Sequence, residues 1–162
     1  MPETPAFLSE RLKSEGEKCA AFFAALHPEQ WQIEVYDEGA RWTVRSVLAH
    51  FVTAERGFLK LFESIRLGGP GAPQDFSVDR YNASQQEKTQ DVPPAELLAQ
   101  FHAVRAQMTA WVAGLSEADL SKEGRHPFLG QTTLAEMIKM VYLHNQIHLR
   151  DLRKRLAETP VL

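Results

Sequence analysis

The sequence predicts an all-α fold, a bundle of four principal helices with short accessory helices, and three observations carry that expectation. Four long stretches repeat their apolar residues at steps of three and four, the spacing that lines one face of a helix. No stretch alternates apolar and polar residues convincingly enough to read as a half-buried strand. The long stretches are bounded by capping residues, prolines and glycines. With 162 residues the chain can bury one full core and is too short for two comfortable ones, so residues 1–162 are expected to form a single helical-bundle domain.

The first helix is expected from about Thr4 to Leu26, with Leu8, Leu12, Cys19, Phe22, Phe23 and Leu26 in phase; Pro28 then stops it. A polar connection containing Trp31 and Tyr36 follows. Trp42-Thr43 opens the second helix, with Thr43 as N-cap and Val44, Val47, Leu48, Phe51, Val52, Phe58, Leu59 and Phe62 as its buried face. It ends near Gly68-Gly69-Pro70. The Pro/Gly-rich stretch to Phe76 reads as a loop, and Val78 to Thr89 as a short polar helix.

The third principal helix starts at Pro94, a residue suited to a first turn, and buries Leu97, Leu98, Phe101, Val104, Met108, Trp111, Val112 and Leu115. Ser116 to Leu120 reads as a single helical turn and Ser121 to Gln131 as a loop. Thr133-Leu134-Ala135-Glu136 has the capping-box pattern and opens a last helix that runs to about Glu158, before Pro160. The connections are too long for plain up-down-up-down hairpins throughout, so at least one crossover is expected.

Charge and composition exclude several functions. The net charge of -3 leaves no basic excess, and no stretch interleaves Lys/Arg with aromatics, so no affinity for nucleic acid or an anionic membrane is expected. No run of eighteen apolar residues occurs, and Met1 to Phe7 lacks the layout of a signal peptide. A soluble, cytoplasmic protein is expected. The lone cysteine, Cys19, excludes an internal disulfide, and its place in the apolar stripe reads as a small buried hydrophobe rather than a nucleophile.

The most informative residues are histidines. His144 and His148 are inserted in the apolar face of the last helix, which otherwise runs through Leu134, Met137, Ile138, Val141, Leu152 and Leu156. Residues at i and i+4 stack on one face, so both imidazoles can address one ion. His50, beside the stripe of the second helix, supplies a third nitrogen. Three histidines leave a coordination position open, as catalytic zinc sites do. The competing reading is a pair of hydrogen-bonded core histidines. His126 before Pro127 reads as a turn residue, and His27 and His102 as boundary or surface residues. A ferritin-like di-iron centre has no ligand set here, since Glu123 to His126 spans a glycine in an expected loop. His144-Asn145-Gln146-Ile147-His148 lacks the glutamate of a zincin.

Trp42-Thr43 with Leu48-Ala49-His50 and Glu55, then Asp79-Arg80-Tyr81-Asn82, then His126-Pro127-Phe128-Leu129-Gly130, and finally His144 and His148, taken in that order, resemble the DinB/YfiT-like superfamily over most of the chain. The resemblance implies a four-helix bundle with one divalent metal ion per chain at one end, Zn or Ni, held by His50, His144 and His148 with no substitution at any of the three. It also implies a homodimer. Relatives are varied: some transfer or isomerise with low-molecular-weight thiols, and others are hydrolase-like.

The expected function is therefore a metal-dependent enzyme that activates a thiol or water, foremost a thiol-dependent S-transferase acting on a small molecule. A metal-dependent hydrolase is one alternative, and a non-catalytic metal- or ligand-binding stress-response bundle is the other. Glu55 lies about 140° round the helix from His50, which suits an outer contact better than a fourth ligand. Asp79, Arg80 and Asn82 fall on a polar segment that reads equally as a solvated, capping loop or as the mouth of a site, where Arg80 would hold an anionic substrate and Asn82 would orient a ligand.

Overall fold

The structure, a computed structural model, describes residues 3–161; Met1, Pro2 and Leu162, which the one-domain expectation and the signal-peptide reading also take in, lie outside the described residues. Helix α1 (Pro5–Ala24) starts where Thr4 accepts a hydrogen bond from the Phe7 amide, with Pro5 in the first turn. Helix α2 (Val44–Arg66) is capped reciprocally by Thr43 and Ser46. The polar helix α3 (Val78–Thr89) is capped by Ser77. It is pinned to the start of α2 by Arg45, which donates to the carbonyls of Thr89 and Val92. Helix α4 (Pro94–Ala113), the single turn α5 (Glu117–Leu120) and helix α6 (Leu134–Ala157) complete the helical set. Thr133 caps α6 as expected, but the box is not reciprocal: Glu136 pairs with Lys139 at 2.9 Å.

Two connections expected to be irregular contain short strands. Strands β1 (Glu34–Tyr36) and β2 (Trp42–Thr43) pair antiparallel between α1 and α2. Strands β3 (Glu123–His126) and β4 (Gly130–Thr133) form a hairpin between α5 and α6. Neither hairpin shows a clean apolar alternation, which is why periodicity does not reveal them. The second is held by backbone pairing and by its turn, where Gly130 takes a left-handed φ of 73°. The α2–α3 loop adds a further rung to it. Gly71 pairs in parallel with Arg125, whose amide donates to the Pro70 carbonyl while the Ala72 amide donates to the Arg125 carbonyl. Gly71 has a φ of 93°, and a Cβ there would lie 2.3 Å from the Arg125 nitrogen, so the rung requires glycine on both counts.

Around the bundle the principal helices follow the order α1, α4, α2, α6, so α1 lies diagonally across from α2, and α4 from α6. That is the expected crossover, made twice. The apolar core is in two parts. One gathers Leu8 and Leu12 of α1, Phe62 and Ile65 of α2, Met108 and Val112 of α4, and Leu134 to Tyr142 of α6. The other gathers Cys19 to Phe23, Val44 to Val52, Leu97 with Phe101, and Leu149 with Leu152. Between them runs a buried polar layer. Arg105 of α4 grips the Glu55 carboxylate with two hydrogen bonds of 2.9 and 2.8 Å, donates to Asn145 of α6, and reaches the Leu12 carbonyl of α1 at 3.0 Å. No helix among the described residues is long and apolar enough to cross a membrane.

Candidate metal centre

The antiparallel packing of α2 against α6 brings three imidazoles to one point. His50 Nε2 lies 3.0 Å from His144 Nε2, which lies 3.0 Å from His148 Nε2, and the three ligand atoms all fall within 4.8 Å of one another. His50 is buried, and His144 and His148 are half-buried. Aromatic rings enclose the cluster. Trp42 tilts over His50 at 4.7 Å between centroids, Phe51 packs beneath His144 and His148 at 6.0 and 5.7 Å, and Phe128 stacks on His144 at 6.3 Å.

Burial disfavours the charged form of all three. It pushes His50 well below the usual imidazole range, with the neighbouring His144 and His148 adding to the effect, and takes His144 down to about 3. His148 is lowered by burial too, and the nearby Asp151 works against the shift.

Hydrogen-bond direction decides what the cluster can accept. The Tyr36 hydroxyl is 2.6 Å from an Asp151 carboxylate oxygen and 2.8 Å from His148 Nδ1. Its single proton goes to the carboxylate, so Tyr36 accepts from His148 Nδ1–H, and the His148 Nε2 lone pair is directed at His144. Whichever tautomer His144 and His50 take, the two 3.0 Å contacts then bring lone pair to lone pair, leave His144 Nε2 with a donor that it cannot accept, or make the single His144 Nε2–H serve two acceptors. A central cation satisfies all three nitrogens at once. Tetrahedral zinc, with Zn–N bonds of about 2.0–2.1 Å, sets its ligand nitrogens roughly 3.3 Å apart, close to the spacing of the two short contacts. The residues present therefore fit a divalent ion.

Other expected positions are dispersed. Glu55 is 2 % exposed and is wholly engaged by Arg105 in the polar layer. Asn82 is half-buried on α3 and lines a cavity that begins at His50; Arg80, two residues earlier, is exposed and does not line it, and Asp79 is exposed as well. His126 is indeed a turn residue: buried against Phe58, it accepts the Phe128 and Leu129 amides on Nδ1. Its Nε2 is buried with no partner among the described residues. His102 is exposed on α4, and His27 caps a 3-10 turn at Pro28–Gln32. Cys19 is fully buried, and burial pushes its thiol up to about 12, which removes it as a nucleophile.

Sequence reasoning missed Tyr36 and Asp151. Asp151 stands one turn beyond His148 on α6, a spacing that a search for outer partners of the histidines could have used. Tyr36 lies 112 residues from His148 and leaves no local signal.

The profile of the DinB superfamily matches residues 6–152. The chain belongs to the DinB superfamily. Direct comparison with curated proteins finds no match. Among solved structures, this DinB protein is similar to YfiT from Bacillus subtilis, described as a probable metal-dependent hydrolase with an unusual four-helix bundle topology. The identity is 17%, with 91% of this chain and 85% of that one covered and a TM-score of 0.71. It is also similar to a mycothiol-dependent maleylpyruvate isomerase, at 16% identity and a TM-score of 0.74, with 93% of this chain and 63% of that one covered. A third similar structure is the colibactin self-resistance protein ClbS in complex with a dsDNA, at 16% identity, 96% and 99% coverage and a TM-score of 0.72. At these identities the likeness shows the shared fold.

Proposed function

We propose that this DinB protein is a metal-dependent enzyme in which His50, His144 and His148 hold one divalent ion, Zn or Ni, and that it transfers a small thiol to a small-molecule electrophile. The observation that carries the reading is the tautomer lock. With His148 Nδ1–H committed to Tyr36, at best one proton serves both contacts among the three Nε2 atoms, whereas a cation gives each nitrogen a full partner. Imidazole suits both metals. Such an ion supplies Lewis acidity that lowers the pKa of a thiol or a water into the neutral range.

The chain's own residues do the rest. Asp151 and Tyr36 hold the His148 ring in one tautomer and orientation. Trp42, Phe51 and Phe128 exclude water from around the imidazoles and so lower the local dielectric. The cavity beside His50 gives a second reactant a place within reach of the centre. The likeness to a mycothiol-dependent enzyme favours a thiol as nucleophile. The description of YfiT favours water, and hydrolysis is the second reading.

Elemental analysis of protein purified without chelator or a histidine tag is the test, run beside the His50→Ala, His144→Ala, His148→Ala triple variant. About one Zn or Ni per chain, lost in the variant, is expected; no metal in either protein after reconstitution overturns the reading and leaves a non-catalytic bundle. With metal present, turnover of an electrophile that depends on added thiol separates transfer from hydrolysis. Removal of the ion by chelator should abolish either activity, and re-addition restore it.

A further inference from the structure

The cavity that opens at His50 has a chemistry of its own. It has a volume of about 200 Å³ and lies between the outer face of α2, the α2–α3 loop, α3 and the turn of the β3–β4 hairpin. Small residues create it. Ala54 and Gly57, one and two turns beyond His50 on α2, leave space opposite Phe76, Tyr81 and Phe128. The Tyr81 ring is fixed, because its hydroxyl donates to the Thr53 carbonyl at 3.0 Å and sits 2.8 Å from where a Gly57 Cβ would be.

No carboxylate, amine or guanidinium lines the cavity; Arg56 and Arg80, on the same two helices, are exposed and outside the lining. With the Tyr81 proton spent on the backbone, Asn82 is the lining side chain, apart from His50, that can still donate a hydrogen bond. Its amide has no partner among the described residues.

We infer that this cavity takes an uncharged, largely apolar molecule of about one ring, tethered by a single hydrogen bond from Asn82, and that its own wall, with the histidine centre empty, disfavours carboxylates. Size follows from volume: an apolar cavity of about 150 Å³ holds benzene, so 200 Å³ holds a substituted ring but not a drug-sized ligand. Charge follows from the wall, since with the histidine centre empty no cationic side chain lines the cavity to offset the desolvation of an anion. The inference departs from the sequence-based expectation that Arg80 holds an anionic substrate. That the occupant is the electrophile of the reaction rests on the metal reading above; the selectivity of the cavity does not.

The test uses ¹⁹F NMR with two probes of one shape, 4-fluorobenzamide and 4-fluorobenzoate, on the protein as purified and after chelator treatment. In the chelator-treated protein the amide is expected to bind at least about tenfold more tightly than the carboxylate, a difference of about 1.4 kcal/mol. Ala54→Phe, which fills the cavity, should abolish amide binding while metal content stays at the wild-type level. Asn82→Ala, which removes a side chain without a partner, should weaken the amide several-fold and leave folding unchanged.

Equal or tighter binding of the carboxylate after chelation overturns the inference, as does amide binding that survives Ala54→Phe. If no metal is found but the amide is still selected, the functional proposal falls and the cavity assignment stands. Metal at full occupancy as purified, with no selection between the probes after chelation, gives the reverse.

Discussion

At the scale of single residues, the Tyr36 hydroxyl governs the candidate centre although it makes no contact with the point where the three nitrogens converge. Tyr36→Phe keeps the ring against Trp42 and His148 but removes the acceptor for His148 Nδ1–H. The imidazole can then move its proton to Nε2 and lose its lone pair. Metal affinity is expected to fall 10–100-fold, the usual cost of losing such a partner, as measured by competition with a chromophoric chelator. Unchanged affinity would show that the tautomer is set elsewhere.

His126 gives a second residue-level prediction. Burial takes it from 6.5 down to about 4, so between those values the unfolded chain binds a proton that the folded protein refuses. Stability is therefore complete above about pH 7 and is lost as pH falls through 6.5 towards 4, by up to about 1.4 kcal/mol per pH unit for one histidine. In His126→Asn the side-chain oxygen can still accept the turn amides but cannot titrate there. Urea midpoints of the variant should fall less steeply than wild type over this range, and parallel profiles would remove His126 as the cause.

Neither role was legible to the same degree. His126 before Pro127 announces a turn in the sequence, whereas Tyr36 stands in a polar connection whose pairing as β1 depends on a partner strand too short to carry a pattern.

Among the elements, the principal helices were readable because each buries one face and writes its period into the chain. Even α3, with one buried residue, was readable as a short polar helix following the Pro/Gly-rich loop. The hairpins were not. Glu123-Gly-Arg-His126 and Gly130-Gln-Thr-Thr133 are held by backbone bonds and by Gly71 and Gly130, and backbone pairing imposes no composition.

The polar layer was likewise hidden, since Arg105 and Asn145 look in sequence like ordinary helix-surface residues and Glu55 reads as an outer contact of the histidines, until three helices bring them together. Removing one partner of a buried ion pair leaves the other uncompensated, so Glu55→Ala is expected to cost about 3–5 kcal/mol in urea unfolding. Pairing Glu55→Leu with Arg105→Met should recover most of that loss. A cost under about 1 kcal/mol for Glu55→Ala would mean that the Arg105 charge finds other partners in Asn145 and the Leu12 carbonyl.

For the molecule as a whole, charge bears on a question raised by the likeness to ClbS, which was solved with a duplex. Duplex binding rests chiefly on cations that displace counterions from phosphates. Here acidic residues outnumber Lys and Arg by 21 to 18. We expect no rise in the anisotropy of a labelled duplex at roughly 50 mM salt, a condition that exaggerates electrostatic binding. A saturable, salt-sensitive rise would overturn that expectation.

The helix order around the bundle bears on how the chain reaches this state. His50 and His144 are 94 residues apart in sequence, and α1 finds its neighbours in α4 and α6 while the helix that follows it lies diagonally opposite. A bundle wired this way forfeits the short-range pairings that let simple helical hairpins fold fast, and it should fold more slowly than an up-down bundle of equal length. During synthesis His50 leaves the ribosome long before His144 and His148, so an ion held by all three, as proposed, could load only as a late step, once the last helix has docked.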